Sequence, residues 1–429
     1  MPWVEPLRVA AGLAHRDGAL CLLSDAAIPG ARSFVAADPD QAWVGAVEAG
    51  RLFATLGDEA SGFGPGTIGL ASYDAGARAA TGPRETVWPD LMLARYPAML
   101  VFDHDARTLT AFGWGRDEDA AQAACDLAEA WVGGAGEVPP SPAPPASDFT
   151  AETPPQAYRD HVAEVVSRIE AGDLFQANIA QAWSGLLSAQ ADPFDVFLRL
   201  TARPSAYGAF WRLGKRALVS NSPELFVACD FATRRIETRP IKGTRPRRAD
   251  PVQDDAEADA LLTSAKDRAE NLMIVDLMRN DVSRVCVPGS VAVDRLFAIE
   301  SLPTVHHLVS TVTGRMADGV GPAKVLAATF PPGSITGAPK HQAMKVIAEL
   351  EAPRGAWCGS LFVIDPVGDL TASVLIRTAS FERAEGVWTF RALAGAGIVA
   401  DSDPEAERIE TEVKISALRT AFTGAEGPD

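Results

Sequence analysis

Two kinds of residue in this chain have the types and spacing to do chemistry. The first is a lone amine, Lys242, in Arg239-Pro240-Ile241-Lys242-Gly243-Thr244-Arg245-Pro246-Arg247. Pro240 and Gly243 break regular structure on either side of it. A deprotonated amine is a nucleophile, and a carboxylic acid brought beside it can protonate a leaving group. Glu224 is the carboxyl expected in that place. The second kind is a carboxylate pair, found twice: Asp267 with Glu270, and Glu407 with Glu410. Each pair is spaced i and i+3, so its members share one helix face. Two such helices facing each other make an oxygen-rich site of the kind magnesium prefers, with waters filling its shell. By pattern alone these features are ordinary. Lysines are mostly solvated, and acid pairs at this spacing decorate exposed helices.

The elements that must position these groups can be read from periodicity and turn chemistry. Residues 217–220 and 225–228 read as short strands turned by Ser222-Pro223-Glu224 into a hairpin. The next strand, 234–238, delivers Lys242 at its end in a constrained loop, with Glu224 at the other end of the hairpin. Residues 254–285 read as one long helical segment, with any interruption near Arg279-Asn280-Asp281. The last helix covers 404–422, with Asp403 as its N-cap and Pro404 at its first position. Upstream, 19–24 and 33–39 read as strands. Residues 41–56 have helical spacing, with Trp43, Val44, Val47 and Leu52 on one face. Residues 117–132 are an alanine-rich helix. The Gly/Pro-rich run 133–147 cannot pack and reads as linker. After it come a helix over 154–171, a strand over 174–183, a helix over 193–203, and a strand over 372–376 leading to Arg377.

Composition narrows the function classes. The chain has 429 residues, 47% of them hydrophobic, enough for a substantial core. A net charge of −17 argues against nucleic-acid or anionic-membrane partners, which select basic surfaces. Its five cysteines are scattered and form no C-x-x-C pair, so neither a disulfide framework nor a zinc site is expected. The N-terminus is no signal peptide, and no apolar run reaches ~18 residues. A soluble, cytoplasmic protein is expected.

Four stretches resemble the chorismate-utilising enzymes. They are Pro240-Ile241-Lys242-Gly243-Thr244-Arg245-Pro246-Arg247; Ser264-Ala265-Lys266-Asp267-Arg268-Ala269-Glu270-Asn271-Leu272; Gly333-Ser334-Ile335-Thr336-Gly337-Ala338-Pro339-Lys340; and Gly395-Ala396-Gly397-Ile398-Val399. The likeness is dense over roughly 155–420 and weak over the first 130 residues. It implies an α/β (α+β) fold of antiparallel sheets packed together with helices outside. Block 1–132 would contribute strands and helices to the same body, 133–153 would be linker, and 154–424 the chorismate-binding catalytic region. It further implies that Glu270 and Glu410 ligate Mg2+, with Asp267 and Glu407 reaching the ion through water. Arg377, Lys414 and the Gly395–Gly397 backbone would hold substrate carboxylate, and His307, Ser334 and Thr336 would line the ring. Trp357 stands where the family usually has a substrate-contacting tyrosine, and an indole donates a hydrogen bond but cannot accept one as a phenol does.

Within the family, anthranilate synthases usually carry alanine at the Lys242 position and aminodeoxychorismate synthases carry lysine. The resemblance therefore implies amination of chorismate at carbon 4, giving 4-amino-4-deoxychorismate for 4-aminobenzoate and folate synthesis. Lys242 would add at carbon 2 while Glu224 protonates the departing 4-hydroxyl. Arg239 and Arg245, flanking Lys242, are expected to help keep it neutral. Anthranilate-type or isochorismate-type chemistry is the nearer alternative, and a non-catalytic chorismate-binding subunit the remoter one. No cysteine sits in a Gly-x-Cys-x-Gly turn, and the chain ends soon after Gly397, at Asp429. Ammonia is therefore expected from a separate glutaminase subunit.

Overall fold

The computed structural model describes residues 1–86, 88–138, 143–203 and 205–425. Pro139, Pro140, Ser141 and Pro142, from the middle of the expected linker, lie outside these. Among the described residues the strands form two antiparallel sheets, of eleven and ten strands. Strand alternation explains how they stack, since successive side chains point to opposite faces. Leu20, Phe34 and Ala36 pack with Ile68, Leu70 and Met92 from the other sheet, making the core between the sheets. Their sequence neighbours Cys21, Val35 and Ala37 face the other way, against the helices Pro6–Leu13, Glu118–Gly133 and Pro404–Thr423. A further core lies on the outer face of the second sheet, under helices that include Ala265–Ser283 and Lys340–Leu350. Antiparallel sheets packed together with helices outside are thus the architecture. Strands from both sequence blocks share each sheet: Leu20–Leu23 pairs with Tyr207–Leu213, and Thr67–Ala71 with Ser360–Ile364. No helix among the described residues is long and apolar enough to cross a membrane, and all five cysteines are free.

Several local expectations are corrected. Residues 41–56 do not form a helix: Gln41–Gly45 is an edge strand paired with Leu91–Arg95, and Ala54–Gly57 is a single helical turn. The helical spacing of Trp43, Val44 and Val47 is outweighed by pairing with a neighbouring strand. The segment 254–285 is two helices, Pro251–Thr263 and Ala265–Ser283, broken at Ser264 rather than near Arg279-Asn280-Asp281. Ser264 ends the first helix and caps the second, its hydroxyl accepting from the Asp267 amide at 3.2 Å. The end of the expected linker does pack. Pro145 and Ala146 are buried, the Ala146 amide donates to the Phe422 carbonyl, and Phe149 stacks on Phe390.

The correction that matters most concerns the expected hairpin. Arg216–Ser222 belongs to the first sheet and Leu225–Asp230 to the second. Ser222-Pro223-Glu224 is therefore a crossing between sheets. A second crossing lies beside it, where Leu370–Val374 of the second sheet passes through Leu375-Ile376-Arg377 into Thr378–Ala384 of the first. The two are bonded together. The Val374 amide donates to the Glu224 carbonyl at 3.1 Å, the Asn221 amide to the Arg377 carbonyl at 3.0 Å, and the Ser222 hydroxyl to the Val374 carbonyl at 2.6 Å.

Candidate active site

The paired crossings put Glu224 and Arg377 side by side at the seam of the two sheets. Arg377 has a φ of 51°, a left-handed conformation that a non-glycine residue adopts rarely. Among the described residues its guanidinium makes no ion pair. Glu224 is 5% exposed. Burial pushes its carboxyl up to about 7, against the hydrogen bond from Ser334 and the positive charges of Lys242, Lys414 and Arg377. A carboxyl titrating there carries a proton and can give it up near neutral pH, as a general acid must.

Lys242 does not sit in a free loop. It lies in the strand Ile241–Pro246, which pairs with Val305–Arg315 and slips register between Ile241 and Thr244. The bulge contains Lys242 and Gly243, whose φ is +80°. Such bulges re-aim a side chain out of the normal alternation. Asp267 lies 2.8 Å from where a Gly243 Cβ would be, so the bulge is seated on the first turn of the acidic helix. The Lys242 amine has no hydrogen bond or ion pair among the described residues. Burial lowers its pKa from the usual lysine value, and Lys414 lowers it further, while Glu270, Glu224 and Glu410 oppose. The flanking arginines are not the cause. Arg239 pairs with Glu300, and Arg245 with Asp267 at 3.3 Å.

The strand Val387–Ile398 forms the floor, paired along Gln176–Leu186. Here glycine is required by space. A Cβ on Gly397 would fall 2.4 Å from Gln176 Nε2 and 3.5 Å from Lys242 Nζ; on Gly395 it would fall 2.5 Å from Asn178 Oδ1 and 2.8 Å from Trp357. Trp357 is buried and its Nε1 has no partner. His307 donates or accepts through Nδ1 at 2.9 Å from the Thr244 hydroxyl, and its Nε2 is buried without a partner. Burial and Arg377 push His307 down to about 4, so it is neutral at physiological pH. Ser334 and Thr336 differ. The Ser334 hydroxyl serves Glu224, whereas Thr336 donates to the Pro332 carbonyl at 2.7 Å and holds its own turn.

Sequence reasoning missed Gln176 and Asn178. Both amide atoms of Gln176 and the Asn178 Oδ1 are buried without partners, against the rule that buried polar groups are hydrogen-bonded. A signal was available: two amides at i and i+2, on one face of the apolar start of a strand. Also missed was Arg354, 2% exposed. It pairs with Glu351 at 2.8 Å, donates to the Asn178 carbonyl at 2.6 Å, and lies over the Trp357 ring at 5.0 Å. That one cation ties the floor strand to the indole.

The four acids line the rim. Glu270 and Glu407 have raised pKa values, in each case mainly from burial and in part from Glu410. Glu407 accepts from the Ser402 hydroxyl at 2.6 Å. Glu410 is instead held below the usual range, because Lys414, Lys266 and Lys242 outweigh its burial. Among the described residues no three His, Cys, Asp or Glu side chains close around one point as a complete metal cage would. The donors are carboxylate oxygens only, on two helices. That chemistry fits a hard cation that keeps several of its waters, and no softer metal. A separate cavity of about 280 Å3, lined by residues such as Leu22, Tyr207, Glu237 and Arg239, includes none of these side chains.

Known proteins resemble this chain over most of its length. Residues 26–420 match the family described as chorismate binding enzyme. The chain is 40% identical to aminodeoxychorismate synthase component 1 of Escherichia coli, over 83% of this chain and 76% of that protein. It is 38% identical to anthranilate synthase component 1 of Thermus thermophilus, over 84% of this chain and 78% of that protein. The crystal structure of anthranilate synthase component I from Streptococcus pneumoniae TIGR4 superimposes with a TM-score of 0.77 at 27% identity, covering 91% of this chain and 93% of that one.

Proposed function

The chain belongs to the chorismate-binding enzymes, and from that premise we propose that it converts chorismate and ammonia to 4-amino-4-deoxychorismate. The observation that carries this choice within the family is the Lys242 amine: half-buried, without a partner among the described residues, its pKa lowered by desolvation, and near Glu224, whose carboxyl is pushed up to about 7. Lys242 adds to ring carbon 2. Both ring double bonds shift toward carbon 4, the bond from carbon 4 to its hydroxyl breaks, and Glu224 supplies the proton that lets the hydroxyl leave as water. Ammonia then adds at carbon 4 and returns a proton to Glu224, both double bonds shift back, and Lys242 leaves with its electron pair. Arg377 and the Gly395–Gly397 floor receive the substrate's carboxylates, with the Trp357 N–H as a further donor. Neutral His307 lies against the ring, and Gln176 and Asn178 face the same space.

Glu270 and Glu410 would hold Mg2+ directly, with Asp267 and Glu407 behind them. That ion would neutralise a substrate carboxylate in a cleft already crowded with acids. The reading also includes a cytoplasmic setting and a glutaminase partner that supplies the ammonia, in keeping with the "component 1" in the names of the relatives. The deciding experiment is mass spectrometry of the product from chorismate, magnesium and ammonium. Aminodeoxychorismate is expected. Anthranilate or isochorismate as the main product would sink the proposal.

A further inference from the structure

The acidic rim carries its own counter-ion. Lys414 lies one turn beyond Glu410 on the last helix, and its Nζ is 2.5 Å from Glu410 Oε1. The same ammonium donates to the Gly395 carbonyl at 3.0 Å, at the floor of the cleft. Its charge is also felt at Glu224 and Lys242. Lys414 thus stands between the two groups of residues in the proposed reading, the metal acids and the substrate floor. It is bonded to both. An oxygen bound to an ammonium at this distance cannot present the same lone pair to a divalent ion. An ammonium held by Glu410 and the Gly395 carbonyl has one donor left, and its charge is already offset by Glu410. The pair is breakable, because both side chains are close to half exposed, at 42% and 48%, and such pairs contribute little to stability.

We propose that Lys414 is an exchangeable counter-ion. It neutralises Glu410 before loading, is released when a divalent cation takes that carboxylate, and then turns to a carboxylate of the substrate while still tethered beside Gly395. This rests on the reading above for the identities of ion and substrate. It adds that the two bind cooperatively through one side chain. The coupling must be reciprocal: the factor by which the cation improves substrate affinity equals the factor by which substrate improves cation affinity.

The test is calorimetric titration with magnesium chloride alone, then with chorismate in the presence and absence of magnesium, on the wild type, Lys414→Met and Glu410→Gln. With its competitor removed, Lys414→Met should bind magnesium about three- to fivefold more tightly without substrate. The same variant should lose most of the factor by which magnesium improves chorismate binding. Glu410→Gln should bind magnesium at least about tenfold more weakly, since the charge that holds a hard cation is gone. If Glu410→Gln loses magnesium while Lys414→Met binds it no more tightly than the wild type, Lys414 does not compete and the inference fails, with the metal assignment standing. If Glu410→Gln binds magnesium like the wild type, the metal assignment itself fails. Lys414→Gln, judged folded by its melting temperature, repeats the measurement should the methionine variant aggregate.

Discussion

Two half-buried lysines mark, in this molecule, a joint that holds and the cleft proposed to react. Both stand in stretches that resemble the same family, Lys242 in the bulged strand and Lys340 at the end of the Gly333–Lys340 run. Burial lowers the pKa of both. Their surroundings differ completely. Lys340 pairs with Asp281 at 2.5 Å and donates to the Thr329 carbonyl at 2.9 Å, so it bolts the acidic helix to the turn carrying Ser334. Lys242 has no such partner, and around it lie unpartnered atoms of Gln176, Asn178, His307 and Trp357. Folding normally eliminates unpaired buried polar atoms, because each costs about 1–3 kcal/mol. Where several gather on one side of a glycine floor, the proposed substrate is the partner expected to meet them. Burial alone therefore does not separate a structural lysine from a reactive one; satisfaction of its hydrogen bonds does.

The largest effect should come from Lys242→Ala. Turnover of chorismate should fall by about three orders of magnitude or more, with the melting temperature held, because a covalent route is lost and no packing partner is. Near-normal turnover would place Lys242 with the structural lysines. Next is Glu224→Gln, expected to lower kcat by about 10²–10⁴-fold. In the wild type the acid must be protonated, so with its carboxyl near 7 the rate should fall as pH rises through that value, by about tenfold between pH 6 and 8. Glutamine carries no titrating proton and should remove this alkaline limb. Lys242 must be neutral to attack and contributes an opposite limb in both proteins, so the ratio of wild-type to Glu224→Gln rates isolates Glu224, and a ratio flat across that range would refute the assignment.

Lys340→Met should do the opposite of Lys242→Ala. It leaves Asp281 buried without its cation and should cost about 3 kcal/mol in denaturant unfolding, with a smaller change in turnover. Adding Asp281→Leu should recover most of that stability, and failure to recover would mean that Lys340 acts through something besides the pair. The smallest effect tests the same contrast in two neighbouring hydroxyls of one turn. Ser334→Ala removes an interaction that lowers the Glu224 pKa, so the alkaline limb should move to higher pH. Thr336→Val should leave the limb in place and cost about 1 kcal/mol of stability. A shift in both profiles, or in neither, would erase the distinction.

The motif residues were legible early because their chemistry is local in sequence. The caps are examples: Asp403 accepts from the Glu405 and Ala406 amides as its position before Pro404 implied. So are the two acid pairs, whose spacing alone puts each on one helix face. The edge strand Gln41–Gly45 was not legible, since a five-residue segment takes its conformation from the strand it pairs with. Nor was the unpartnered state of Gln176 and Asn178, because a residue's lack of partners depends on every element that packs near it.

By itself, the sequence determined which groups could react: one amine in a Pro- and Gly-broken stretch, carboxylates at helical spacing, and glycines where backbone must stay bare. The antiparallel, helix-covered architecture followed from its resemblance to a known family. Only the tertiary structure decided how those groups meet. Glu224 looked like one end of a hairpin, yet it stands where the chain leaves one sheet for the other, bonded to a second crossing that carries Arg377. Its proton affinity comes from being sealed in that seam, and burial, not the flanking arginines, lowers the pKa of Lys242. The physical reason is common to both. Desolvation and electrostatic coupling are properties of three-dimensional surroundings, summed over strands and helices far apart in the chain, and no local pattern of residues contains that sum.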